Sequence, residues 1–282
     1  MTLICIGPVA KDIIITSSGK KLKVGGASYY QSFVFEKYCP DYHCIINCDD
    51  ERVINYFPDS EKISIIKKDK THFFTNKYPD KNNLDYRIQS SNFANIPILK
   101  KDLTNILPDN IDAIILNPLN SFDLPLKTIN YLKSFDVPIF ISVQGFLRQP
   151  STKTSKDSYS IDLKYPSKFS EIISSTNSIF LDENEASIIF KNNNYNKYNV
   201  NEIVITNGSK GSRVISNKEY KIPPVVNENI IDSTGCGDTY MAAYIAKKLF
   251  SKSVLESANF ASKIASAKLS FSGPFKPVSN FK

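Results

Sequence analysis

Eight consecutive residues concentrate the chemical potential of this chain: Asp232-Ser233-Thr234-Gly235-Cys236-Gly237-Asp238-Thr239, followed by the apolar, Ala-rich run Tyr240 to Ala246. Two glycines permit a tight turn with exposed backbone N–H groups, and the run after them has the spacing of a buried helix. The turn is therefore expected at a helix N-terminus, where amides and helix dipole together attract anions. Asp238 falls at the mouth of this cradle. A carboxylate there would repel a bound phosphate unless its task is to accept a proton from an incoming hydroxyl. Phosphoryl transfer needs both parts, amides that hold the charge developing on the transferred group and a base that aligns the attacking oxygen. A helix cap behind a Gly-rich turn would be written similarly, and the two aspartates in register with the glycines favour the chemical reading.

The surrounding chain alternates short apolar runs with segments of helical period. Leu3 to Ile6, Cys44 to Ile46, Ala113 to Leu116, Pro138 to Ile141, Ser178 to Leu181 and Ile203 to Thr206 read as buried strands. Tyr29 to Tyr38, Leu124 to Phe135 and Phe169 to Ser174 read as helices. This alternation predicts an α/β fold of three layers, α/β/α, with a mostly parallel central sheet and ligands at the carboxyl ends of its strands. Two β-rich regions break the rhythm: Asp12 to Thr16, then Thr71 to Thr75 and Asp85 to Gln89, the last two separated by the turn-rich Pro79 to Asn83. They predict a small β lid drawn from about 12–24 and 70–92. Closing over a ligand, it would exclude water, and its apolar face would otherwise suit a homodimer contact. Residues 149–166, rich in Ser, Thr and Lys, are expected to form a solvated loop.

With 282 residues, of which 41% are hydrophobic, the chain can bury a full core and is read as one large α/β domain, 1–282. Its net charge of +7 is dispersed, without the basic stripe and aromatic readers of a nucleic-acid partner. The five cysteines are odd in number, and Cys44 and Cys48 have no second pair to complete a zinc site. No apolar run approaches membrane-spanning length, so a cytoplasmic location without membrane partners is expected.

Asp232 to Asp238 resembles the signature of the PfkB or ribokinase-like carbohydrate kinases, usually Asp-Thr-x-Gly-Ala-Gly-Asp. Gly25-Gly26-Ala27-Ser28 resembles that family's paired-glycine substrate motif, preceded by Asp12 in a Gly-x-x-x-x-Asp arrangement from Gly7. Leu181 to Ala186 is similar to its Asn-x-x-Glu motif, and Thr206 to Gly211 to its Thr-x-Gly-x-x-Gly nucleotide loop. The resemblance implies a ribokinase-like fold and a sugar or polyol kinase using ATP and Mg²⁺, with a monovalent cation as a further cofactor. Carried over residue by residue, it makes Asp238 the base and the amides of Gly235, Cys236 and Gly237 the anion hole. Asp12, Gly25, Gly26, Tyr30 and Gln144 then bind the acceptor. Asp182, Thr206, Gly208, Gly211 and Ser262 face the nucleotide, and Glu185 organises Mg²⁺ through water. For Asp182, Glu183 and Glu185, the acidic first turn of a helix is the competing reading. For Gly208 and Gly211 it is a plain β-turn.

The departures bear on the acceptor. Ribokinases carry an Asn four residues after the second glycine of the pair, where this chain has Tyr30, and an Asp-x-Asn where it has Ser142-Val143-Gln144. Ribose is thereby disfavoured. The stretch Val143 to Arg148 resembles the corresponding region of inositol kinases, which points to a cyclic polyol. A nucleoside kinase of the same fold and a non-catalytic nucleotide sensor are the alternatives.

Overall fold

The computed structural model describes residues 1–17, 19–79, 88–191 and 194–277. In chain order the strands and helices are β1 (Leu3–Ile6), β2 (Ala10–Thr16), β3 (Gly19–Gly25), α1 (Ala27–Tyr38), β4 (Tyr42–Cys48), β5 (Ile63–Lys67), β6 (His72–Lys77), β7 (Ile88–Ser91), α2 (Lys100–Leu103), β8 (Ala113–Leu116), α3 (Leu126–Lys133), β9 (Ile139–Ser142), α4 (Gln144–Leu147), β10 (Arg148–Ser155), β11 (Ser158–Leu163), α5 (Phe169–Ile173), β12 (Ser178–Asp182), α6 (Glu183–Ile189), β13 (Glu202–Thr206), β14 (Ser212–Ile215), β15 (Glu219–Ile222), α7 (Cys236–Ser251) and α8 (Val254–Leu269).

Nine strands form the central sheet in the order β15-β14-β13-β12-β9-β8-β1-β4-β5. It is parallel from β5 to β13 and ends in an antiparallel meander through β14 and β15. The continuous apolar runs are explained by burial on both faces. Along β1, Leu3 and Cys5 pack into one core with residues of α1, α7 and α8, while Ile4 and Ile6 pack into the other, beneath α2, α3, α5 and α6. The same alternation puts Cys44 and Ile46 on the first face and Ile45 on the second. All five cysteines are free thiols, four of them buried. Among the described residues no helix is long and apolar enough to cross a membrane.

The lid is a six-stranded sheet, β10-β11-β7-β6-β2-β3. It contains the strands expected between 12–24 and 70–92, although residues 80–87, which hold most of the expected turn and part of the last strand, lie outside the described residues. The expectation of a solvated loop over 149–166 is overturned. That segment is the β10–β11 hairpin, and β11 pairs with β7 to extend the lid. Its Ser, Thr and Lys residues concealed the strands because most of β10 faces water and carries no apolar alternation. At the opposite edge, β3 presents Lys20 and Lys21, charges that discourage pairing with another chain.

Candidate active site

The carboxyl ends of β9, β12 and β13, the inner face of the lid and the N-terminus of α7 enclose a cavity of about 280 Å³. Ser142, Leu181, Asp182 and Thr206 come from the sheet; Ala10, Asp12, Phe74, Asn76 and Gln89 from the lid; and Ser233 to Asp238, with Met241, from the α7 turn. Eleven residues expected from sequence line this one cavity: Asp12, Gly26, Tyr30, Gln144, Asp182, Glu185, Thr206, Gly235, Cys236, Gly237 and Asp238. Gly25, Gly208, Gly211 and Ser262 do not line it. Gly25 lies behind Asp12, where any β-carbon would collide with the carboxylate, so the close approach itself demands glycine. Gly208 and Gly211 close a short turn through Asn207 and Lys210. Ser262 is buried on α8, its hydroxyl against that of Tyr240.

The turn before α7 folds as its glycines dictate. Gly235 is the N-cap at φ 78°, a left-handed conformation. A β-carbon there would also strike the ring of Tyr30. Tyr30 is 2% exposed and packs edge-on to Tyr29, with centroids 5.3 Å apart. Its ring is thus the floor under the turn rather than an open stacking surface, and its hydroxyl is buried without a hydrogen-bond partner among the described residues. At Gly237, by contrast, a β-carbon would meet nothing within 4 Å. The Cys236 amide donates to the Ser233 carbonyl at 3.2 Å. The amides of Gly235 and Gly237 have no protein acceptor among the described residues, as is usual in the first turn of a helix, where backbone N–H groups are able to receive an anion. The Cys236 thiol, pushed up to about 11 by burial, is no nucleophile at neutral pH.

Asp182 caps α6 in a reciprocal box: its carboxylate accepts from the Glu185 amide at 2.8 Å, and Glu185 accepts from the Asp182 amide at 2.9 Å. The helix-start reading of these acids is therefore correct in local structure, and both also line the cavity. Glu183 turns away to pair with Arg213 at 2.7 Å. Burial raises the Glu185 carboxyl and the Asp182 charge adds to it. The Asp182 amide, Arg148 and Gln144 pull it back only in part, leaving it at about 7. No group of three or more His, Cys, Asp or Glu side chains gathers as a metal cage among the described residues. Asp182 and Glu185 fit a Mg²⁺ ion held through water against donor phosphates, the mode that this strongly hydrated ion favours.

Sequence reasoning assigned no role to Arg148, Asn76 or Gln89. Arg148 is 5% exposed, lies 4.9 Å over the ring of Phe74, and donates to the Leu119 carbonyl at 3.3 Å and to Gln89 at 3.4 Å. Gln89 donates in turn to Asn76 at 2.7 Å. A polar chain of lid residues thus ends on a buried guanidinium at the cavity wall. Arg148 follows Gln144 by one helical turn, which was a usable signal. Asn76 and Gln89 gave none, because a strand's inward polar residues look like its outward ones. Below the lid, His72 bonds Asp123 at 3.0 Å and Asn120 at 3.0 Å, fixing the loop that carries Leu119.

Residues 149–279 match the model of the pfkB family carbohydrate kinases. No curated protein matches the chain. Among solved structures, a pyrophosphate-dependent kinase in the ribokinase family, complexed with a pyrophosphate analogue and myo-inositol, superimposes with TM-score 0.79 at 21% identity, covering 97% of each chain. Arabidopsis thaliana ribokinase complexed with ribose and ATP gives TM-score 0.70 at 17% identity, over 96% of this chain and 93% of its own. Methanocaldococcus jannaschii nucleoside kinase gives 0.67 at 18%, over 96% and 92%.

Proposed function

We propose that this chain, a pfkB-type sequence over residues 149–279 with the ribokinase-like fold throughout, is a small-molecule kinase that phosphorylates a hydroxyl of a cyclic polyol. The supporting observation is the convergence of Asp12, Asp238 and the Gly235–Gly237 turn on one cavity. Asp12, Gln144, Asn76 and Arg148 hold the acceptor's hydroxyls, and Asp238 takes the proton of the one that attacks. As the new P–O bond forms, the phosphoanhydride bond of the donor breaks and its electron pair leaves with the departing phosphate. The amides of Gly235 and Gly237, at the N-terminus of α7, hold the charge on the transferred group. Mg²⁺, when bound, would neutralise the donor phosphates beside Asp182 and Glu185. The lid excludes water, which would otherwise accept the phosphoryl group.

ATP is the donor that the sequence resemblance implies. Inorganic pyrophosphate is a second reading, favoured by the pyrophosphate-dependent kinase of the same fold. The test is turnover of myo-inositol, fructose, ribose and adenosine with each donor in the presence of Mg²⁺. We expect myo-inositol to give the highest kcat/KM. Ribose or adenosine winning would overturn the acceptor assignment, and no turnover with either donor would overturn the kinase reading.

A further inference from the structure

One fully buried cation has no part in the transfer just described. Lys268, on α8, is 0% exposed, and its ammonium donates to the backbone carbonyl of Asp232 at 2.6 Å and stands 4.0 Å from the Asp232 carboxylate. Burying an ammonium in a protein interior is costly unless it is paired and hydrogen-bonded, so its position demands a reason.

Asp232 is the hub from which the phosphate turn departs. One carboxylate oxygen accepts from the Thr234 amide at 2.9 Å, inside the turn. The other accepts from Lys23 of β3 at 2.8 Å and from the Gly273 amide at 3.0 Å. α8 grips the same segment along one face: Leu269 accepts the amides of Ile231 at 2.8 Å and Asp232 at 3.2 Å, and Ala265, one turn earlier, lies 3.8 Å from the Cys236 sulfur. Burial works to raise the Asp232 carboxyl, but Lys23, the Lys268 charge and the two amides outweigh it and hold the group ionised, at about 2. A carbonyl oxygen and a carboxylate oxygen facing the same point, beside a turn that receives phosphate, form the oxygen set that attracts a hard monovalent cation. Here a side chain already supplies that charge.

We propose that the Lys268 ammonium is a tethered cation for the phosphate turn, holding the Asp232 carbonyl and carboxylate in the orientation that leaves the Gly235 and Gly237 amides facing the anion, so that the protein needs no free monovalent cation. Lys268 is a positioning residue, acting through Asp232. The proposal rests on the kinase reading, and in it Lys268 takes the place of the monovalent cation that the sequence resemblance added to the cofactors.

The test is binding of inorganic pyrophosphate with Mg²⁺, by calorimetry, alongside kcat for the best acceptor, in buffers whose only monovalent cation is a bulky organic one and again with 100 mM K⁺ or ammonium added, roughly the level that saturates weak sites. The wild type should bind and turn over equally well in all three, within about twofold. Lys268→Ala, which leaves a hole where the side chain lay, should lose about 10- to 100-fold in pyrophosphate affinity, the worth of a buried charge-assisted hydrogen bond, and should recover most of it with ammonium or K⁺. Lys268→Met, which fills the hole without charge, should lose as much and recover nothing. The KM for the acceptor should not move in either variant. Stimulation of the wild type by K⁺ would overturn the proposal without any variant having to fold. So would a Lys268→Ala protein that binds normally, or one whose loss ammonium and K⁺ fail to repair. Wild type that binds no pyrophosphate or ATP under any condition would instead sink the kinase reading, a distinct result.

Discussion

Glu185 makes the stability of this protein depend on pH in an unusual direction. Its carboxyl, 4% exposed and within reach of the Asp182 charge, sits at about 7 against an ordinary value of 4.5. A carboxylic acid raised on folding contributes stability that is present in full below pH 4.5 and is lost as pH climbs through 7, because the unfolded chain ionises it first. The difference of about 2.5 units, at 1.36 kcal/mol per unit, is about 3 kcal/mol. Glu185→Gln keeps the acceptor for the Asp182 amide and never ionises, so the variant should escape this loss. The assay is urea unfolding of both proteins at half-unit steps from pH 4.5 to 8.5. Subtracting the two curves cancels the titrating groups that do not interact with Glu185. The expected difference is nearly constant below pH 4.5, grows through the window from 4.5 to 7, and settles near 3 kcal/mol in favour of Gln above it, worth about 6 °C or more in Tm. A difference that is flat across the range, or that grows toward acid, would refute the assignment and return Glu185 to an ordinary ionised cap. Activity should move the other way, since Gln carries no charge with which to order the hydration shell of Mg²⁺.

Asp238→Asn should lower kcat by about 10²–10⁴-fold while leaving calorimetric donor binding within a few-fold, the signature of a lost base; rates near wild type would remove Asp238 from the chemistry. Gly237→Val should keep the wild-type melting temperature within about a degree, since a β-carbon there meets nothing, and yet abolish pyrophosphate and ATP binding, read by calorimetry. Gly235→Ala is its counterpart: with φ at 78° and the Tyr30 ring in the way, it should cost roughly 1–3 kcal/mol or more of stability, measured by urea unfolding. Asp12→Ala should raise the acceptor KM by at least tenfold with the donor KM unmoved, because it stands on the lid side of the cavity.

Much of this architecture was legible because its signals are local. The strands buried on both faces could be read from unbroken apolar runs, and the α7 turn from two glycines whose different reasons, left-handed backbone at Gly235 and open space at Gly237, leave the same letter in the sequence. The site residues at strand ends followed from the order of four short motifs. What escaped detection depends on partners distant in sequence. Lys268 sits in a helix whose Ser, Ala and Lys residues look like solvated packing, and only the fold brings its ammonium to Asp232, 36 residues away. The β10–β11 hairpin was hidden because its strand character comes from pairing with β7 rather than from its own side chains. Tyr30 was read as a residue for the acceptor, and only the fold shows that, besides lining the cavity, its ring lies buried beneath Gly235 as part of the turn's foundation.

The lid's assembly from three separated stretches, β2–β3, β6–β7 and β10–β11, has a consequence for how the protein can be rebuilt or synthesised. No single cut lifts the lid out, so grafting it onto a relative requires three inserts with six junctions that must keep register together. On the ribosome its first hairpin emerges long before its last. β7 cannot gain its β11 partner until residue 160 has appeared, and during that interval its edge is bare. A nascent chain stalled between β9 and β10 would therefore carry an incomplete sheet above a half-built core, the stage at which chaperone dependence and off-pathway association should be greatest.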